Sequence, residues 1–300
     1  MPEKPNKWLI IGSFLSIYII WGSTYLANAF GVEAVPPFFW SGTRFLIAAI
    51  IIFAILKILR RPIKVSREQL KNSAFAGMMF LTLGNGLMCW ALQYIDSGFM
   101  SLLVSAQPLI LLIMIWVLNN KAPQRMSIIG TILGMIGMYL LVNQSALINS
   151  RQQVIGILVC FLCLLFWGYA SLFVARADLP KNHFLNAGIQ MGVGGLFLMI
   201  ISFIFEDISL SVFTEGTTLS YFCMFYLVVF GSIIAFTSFN YLLQHVSPEK
   251  VATNTYINPI VALFLGWHFR DELITTQSII ATVILFTGVY FINTEKYKKS

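Results

Sequence analysis

Apolar residues in this chain run on in long blocks, and the polar positions fall mainly in the breaks between them. Ten blocks of about 20 residues can be drawn, each long enough to cross roughly 30 Å of hydrocarbon as a helix. They lie near residues 8–28, 37–57, 73–93, 98–118, 126–143, 154–175, 184–204, 219–243, 250–269 and 276–294. The longest break, from about Lys57 to Asn72, is too short to fold as a soluble domain. The pattern therefore predicts an all-α integral membrane protein of ten transmembrane helices.

The polar and aromatic positions inside these blocks repeat after 151 residues. Trp90-Ala91-Leu92-Gln93, Ser101, Gln107 and Pro108 align without a gap on Tyr241-Leu242-Leu243-Gln244, Ala252, Asn258 and Pro259. Further on, Trp116, Ser127, Thr131, Gly137 and Tyr139 fall on Trp267, Ser278, Thr282, Gly288 and Tyr290. Two five-helix repeats follow, residues 1–145 and 152–295. Five is odd, so the second repeat must be inverted across the membrane, and inverted repeats around a central midplane cavity are an architecture of carriers.

Composition agrees: 58% of the 300 residues are hydrophobic and 10% charged, with a mean hydropathy of +0.81. With the N-terminus inside, sixteen of the nineteen Lys and Arg fall in cytoplasmic segments, which predicts both termini cytoplasmic and a multi-pass protein of the cytoplasmic membrane. The net charge of +7 then follows from topology and calls for no nucleic acid partner. Lys4, Lys7 and Ala27-Asn28-Ala29 imitate a cleaved secretory signal, but the apolar run is long for one, and its removal would leave unequal repeats.

The interior narrows the chemistry. No Asp or Glu falls inside a predicted span, which argues against a carboxylate relay, and no phosphate-binding loop is present for ATP hydrolysis. Paired acids or a nucleophile with its base, as a membrane enzyme needs, are also missing, so no catalytic residue is assigned. Cys89, Cys160, Cys163 and Cys223 read as small packing residues, and His183, His245 and His268 stand far apart at span ends. Neither a metal site nor a cofactor is expected.

Arg44 is the exception, a charge eight residues beyond Pro36 and so about 12 Å below the surface. Two roles are open to it: holding an anionic group of a substrate, or bonding backbone carbonyls. Asn85, Cys89 and Gln93 share a helical stripe, answered in the eighth span by Thr237, Asn240, Tyr241 and Gln244. Gln107-Pro108 and Asn258-Pro259 mark places where proline frees a carbonyl that lipid cannot satisfy. Trp21, Tyr25, Trp167 and Tyr169 form an aromatic set, of which the two tryptophans lie deep in their spans. The candidate substrate contacts are Trp21, Tyr25, Arg44, Asn85, Gln107, Trp167, Asn240 and Asn258, although interhelical bonding would use the same residue types. Gly130 and Gly134 form a G-x-x-x-G motif, read as packing within the bundle, and the protein is expected as a monomer or homodimer.

Trp21-Gly22-Ser23-Thr24-Tyr25, Arg44-Phe45, Pro108, Pro259 and Glu272 with Gln277 form an ordered set that resembles the drug/metabolite transporter superfamily. The chain is most similar there to the ten-helix exporters with two EamA-type domains, over essentially its whole length. The resemblance implies a cavity lined by spans one, three, four, six, eight and nine, and export of small metabolites such as amino acids or purines. Nucleotide sugars or lipid-linked sugars are the alternative cargo, though they would ask for more than one interior cation. Members of the superfamily commonly carry an acid after span four as well as after span nine. Here the position matching Glu272 is Lys121, and Glu272 is read as structural.

Overall fold

The structure is a computed structural model that describes residues 6–119, 125–144, 148–208 and 217–294. All regular structure among these residues is helical. Ten rods follow in order: α1 Lys7–Ala34, α2 Pro37–Ile58, α3 Arg67–Ala91, α4 Ser97–Leu118, α5 Arg125–Val142, α6 Arg151–Val174, α7 His183–Phe205, α8 Thr218–His245, α9 Asn254–Arg270 and α10 Thr276–Thr294. Seven are long and apolar enough to span a membrane by those measures alone, while α5, α9 and α10 are shorter. Helices are what such sequences must form, because lipid offers nothing to bond an open backbone.

Rod ends depart from the hydropathy windows where polar chemistry continues a helix. The α3 helix starts at Arg67, inside the predicted polar break, because Ser66 and Gln69 form a capping box that satisfies both backbone amides. The α1 helix runs past its predicted limit and carries Glu33 in its last turns. The fourth rod is broken at Ser105 and Ala106, and a separate turn, Pro248–Val251, precedes α9. Met1, Ser300 and Lys121 lie outside the described residues.

The rods pair across the two halves, α2 with α7 and α5 with α10, while α1 packs on α8 and α9 as α6 packs on α3 and α4. Glycines set the closest approach. A Cβ on Gly288 would stand 2.6 Å from Gly130 O and 2.7 Å from Gly134 N, so the predicted G-x-x-x-G is occupied by α10 inside the bundle. Both obstacles are backbone and cannot rotate away. Gly288→Ala should therefore cost about 1–3 kcal/mol in detergent melting, while Gly12→Ala, with nothing within 4 Å of the added carbon, should not destabilise.

Two carboxylates bind helix starts at the face opposite the chain ends. Glu206 accepts from Phe38 N at 2.8 Å, Phe39 N at 2.9 Å and Ser202 Oγ at 2.6 Å, and so caps α2, which opens on Pro37 with Pro36 at its cap. Beyond α9 the chain turns through Asp271 in the left-handed region, φ 52°, and presents Glu272 to the start of α4. There Glu272 accepts from Ser97 N at 2.9 Å, Ser97 Oγ at 2.7 Å and Gly98 N at 2.8 Å. Arg270 joins Glu272 at 3.3 Å and also pairs with Glu33 of α1. Three rods thus meet through one carboxylate and one guanidinium, in line with the structural role read for Glu272.

Asp96 shares this corner. Desolvation first, and the Glu272 charge second, raise its pKa, with Arg270 opposing. The folded protein then holds this proton more tightly than the unfolded chain does, so stability falls as pH rises from the ordinary carboxylate value through the raised one. Asp96→Asn should flatten that segment of a melting-temperature-versus-pH profile and gain on the parent above it.

Candidate functional site

Between the halves lies a chamber of about 90 Å³, room for several waters where one needs roughly 10–15 Å³. Its walls come from α1, α2, α3, α4, α6, α8 and α9. Toward the face that carries the chain ends the lining reaches Pro248 and Ala252. Toward the other face it stops at Tyr25, Met88 and Cys160, beyond which Trp40, Leu92, Ile95 and Phe99 belong to an apolar cluster, and a separate, more open cavity of about 510 Å³ lies at that face between the ends of α1, α3 and α7 and the start of α2.

Three rings from both halves line the chamber and a fourth, Phe80, packs behind them. Trp21 of α1 stands edge-on to Trp167 of α6 with centroids 5.7 Å apart, and Phe239 of α8 packs 4.9 Å from Trp21 and 5.6 Å from Trp167. Phe80 of α3 closes the set, 4.9 Å from Trp167 and 5.5 Å from Phe239. These spacings are those of favourable aromatic pairs, so the box is a rigid apolar surface suited to a flat or alkyl group. Trp21 Nε1 donates to Gly231 O at 3.3 Å and is anchored in turn by α8.

Arg44 lines the same chamber although only 3% exposed. Its Nε donates to Ser232 Oγ at 2.8 Å and its Nη1 to Asn28 Oδ1 at 3.4 Å, and the guanidinium carbon lies 4.8 Å from the Phe45 ring centre. Asn28 Oδ1 also accepts from Trp40 Nε1 and Cys89 Sγ, while its Nδ2 donates to Thr24 O at 2.8 Å, which fixes the amide. No described carboxylate pairs with Arg44, since the ion pairs among the described residues belong to Arg270. A buried cation held by neutral oxygens alone leaves the chamber positive, and a guanidinium so placed can accept a carboxylate through two donors.

The four candidate amides divide. Asn85, on the chamber wall, has its Oδ1 3.6 Å from Cys89 Sγ and shares that single thiol proton with Asn28. Gln107 also lines the wall and donates Nε2 to Leu164 O at 3.3 Å, while its buried Oε1 has no partner. Its repeat mate Asn258 borders the chamber too but is fully used: oriented to satisfy both ends, its nitrogen directs its two hydrogens among Asn254 O, Ile17 O and Tyr18 O, and its oxygen accepts from Asn254 Nδ2. Asn240 stands outside the lining. It is bonded in the α7–α8 contact, where its Oδ1 accepts from Gln190 Nε2 at 3.0 Å and Asn186 Nδ2 at 3.3 Å. Trp21, Tyr25, Arg44, Asn85, Gln107, Trp167 and Asn258 therefore come together, and Asn240 does not join them.

Residues the sequence reading did not single out complete the site: Asn28 and Ser232 as partners of Arg44, and Phe80 and Phe239 as half of the ring box. An asparagine inside an apolar run was the available signal for Asn28; for Phe239 there was none. Two wide π-helical turns, Met78–Gly86 in α3 and Leu227–Phe236 in α8, fall at matching places in the repeats. Each brings a glycine to the chamber, Gly84 beside Trp167 and Gly231 beside Arg44, in keeping with the frequency of such turns at functional sites. Among the described residues no group of three or more His, Cys, Asp or Glu is placed to hold a metal.

Residues 6–143 and 154–294 each match the EamA-like transporter family. The chain belongs to that family. A protein of Escherichia coli (strain K12), "Uncharacterized inner membrane transporter YedA", is 31% identical over 290 residues, covering 96% of this chain and 92% of that protein. "Uncharacterized transporter YoaV" of Bacillus subtilis (strain 168) is 26% identical over 293 residues, with 95% and 96% covered. A solved crystal structure shares the fold with a TM-score of 0.71 at 16% identity, covering 99% of this chain and all of that one. This EamA-like protein is accordingly a membrane transporter of the drug/metabolite transporter superfamily and not an enzyme. Its small-molecule cargo passes through a ten-helix bundle embedded in a membrane.

Proposed function

We propose that this transporter exports a small metabolite, an amino acid, a purine or a similar compound, across the cytoplasmic membrane by alternating access. Both termini lie in the cytoplasm, and the cargo carries an anionic group that pairs with Arg44. The single observation that carries this reading is a buried guanidinium on the chamber wall with neutral partners only. Trp21 and Trp167 hold the apolar part of the cargo, and the unpartnered Gln107 Oε1 accepts a hydrogen bond from it. The outward direction is taken from the resemblance to the ten-helix exporters with two EamA-type domains. Nucleotide sugars fit less well, because Arg44 is the only cation lining the chamber among the described residues and the chamber is small.

Melting of the purified protein against a panel of amino acids, purines and sugars tests the proposal, since a ligand of the folded state raises apparent stability. At least one anionic member should raise the melting temperature, and Trp167→Ala should abolish that shift while lipid-facing changes such as Ile50→Ala leave it intact. A flat response across the panel, or a shift that Trp167→Ala leaves whole, overturns the chamber assignment.

A further inference from the structure

Away from the chamber, the loops joining α2 to α3 and α6 to α7 build a basic surface at the face of the chain ends. Lys57, Arg60, Arg61, Lys64, Arg67 and Lys71 are all exposed, and none has an ion-pair partner among the described residues. Gln69 Nε2 donates to Asp178 Oδ1 at 3.2 Å and Asn72 Nδ2 to Asp178 O at 3.0 Å, which ties in the second loop and adds the exposed Arg176 and Lys181. Against these eight cations stand the acids Glu68 and Asp178.

Two features separate this surface from a basic loop that simply marks topology. Large apolar side chains are interleaved with the charges and face outward: Ile58 is 78% exposed, Leu59 61%, Ile63 46% and Leu70 46%. In water such a row is unfavourable, whereas at the level of lipid headgroups the apolar groups enter the acyl layer and the long basic side chains reach the phosphates. Arg60 occupies the left-handed position that ends α2, φ 51°, where Arg60 N bonds Lys57 O and Arg61 N bonds Leu56 O. Glycine takes this position without steric cost, yet an arginine stands here and places its guanidinium at the helix end.

We propose that this surface is a binding site for anionic phospholipid headgroups. The phosphates sit among the basic side chains of the two loops, and Ile58, Leu59 and Ile63 insert beside the acyl chains. The inference is independent of the cargo reading.

The test titrates the purified full-length chain, held in zwitterionic phosphatidylcholine, with phosphatidylglycerol or with more phosphatidylcholine, and follows the melting temperature. Phosphatidylglycerol should raise it further, and the advantage should shrink between 50 mM and 500 mM salt as the charges are screened. Arg60→Gly should melt like the parent in phosphatidylcholine and lose about fivefold in apparent affinity for phosphatidylglycerol. The triple change Arg60→Gly, Arg61→Gln, Lys64→Gln should lose roughly 100-fold. Equal responses to the two lipids, an advantage that survives the triple change, or its reproduction by inorganic phosphate would each overturn the proposal.

Discussion

Arg44→Met should leave the transporter as stable as the parent, or more so, while weakening cargo binding by about 100-fold or more. Methionine fills much of the arginine stem's volume without a charge. The resting protein then gives up hydrogen bonds to Ser232 and Asn28 but no longer carries the cost of an unpaired buried cation. An anionic cargo bound as proposed loses, in contrast, charge-assisted hydrogen bonds worth about 1.5–3 kcal/mol each. Arg44→Lys should fall between, because an ammonium keeps the charge and lacks the planar fork. Melting curves with and without cargo read both quantities. A large drop in the resting melting temperature of Arg44→Met, with cargo affinity unchanged, would assign Arg44 to the scaffold.

Glu272→Ala should show the opposite profile, with stability lost first. The change strips acceptors from Ser97 N, Ser97 Oγ and Gly98 N, and leaves Arg270 with Glu33 alone. Glu272 is 8% exposed, so the orphaned donors have little access to water, and a loss of about 3–5 kcal/mol is expected in detergent melting. Glu272→Gln, with one acceptor oxygen and no charge, should lose roughly half of that. Gly266 depends on the same carboxylate from the other side, since an added Cβ there would come within 2.2 Å of Glu272 Oε2. Parent-like melting of Glu272→Ala would show that the meeting of α1, α4 and α9 does not rest on this carboxylate.

The two repeats differ at a matched pair of amides. Gln107 and Asn258 occupy the same repeat position, before the same proline, yet one keeps an unpartnered acceptor at the chamber and the other spends its amide on α1. One methylene and a different neighbour decide this. A repeat alignment equates the two residues; only their surroundings separate an amide with an unpartnered acceptor from one whose bonds tie α9 to α1.

Sequence alone determined the elements, the doubling and the class. Hydropathy fixes where helices must run, because lipid cannot bond a bare backbone, and a repeat of an odd number of spans fixes the inversion. The solitary interior arginine and the deep tryptophans were visible for the same reason: a polar or bulky group inside an apolar run stands out against a uniform background. What periodicity reports is which residues share a helix face, not which rod that face meets. Asn85 and Asn240 look alike on their stripes, but the first borders the chamber and the second is bound by Gln190 and Asn186 of α7. The partner that gives Arg44 its setting, Ser232, lies 188 residues away in the other repeat. The π turns that bring Gly84 and Gly231 to the chamber depend on packing that no local pattern encodes. These were decided by tertiary structure, because hydrogen-bond partnership and desolvation belong to the space between helices.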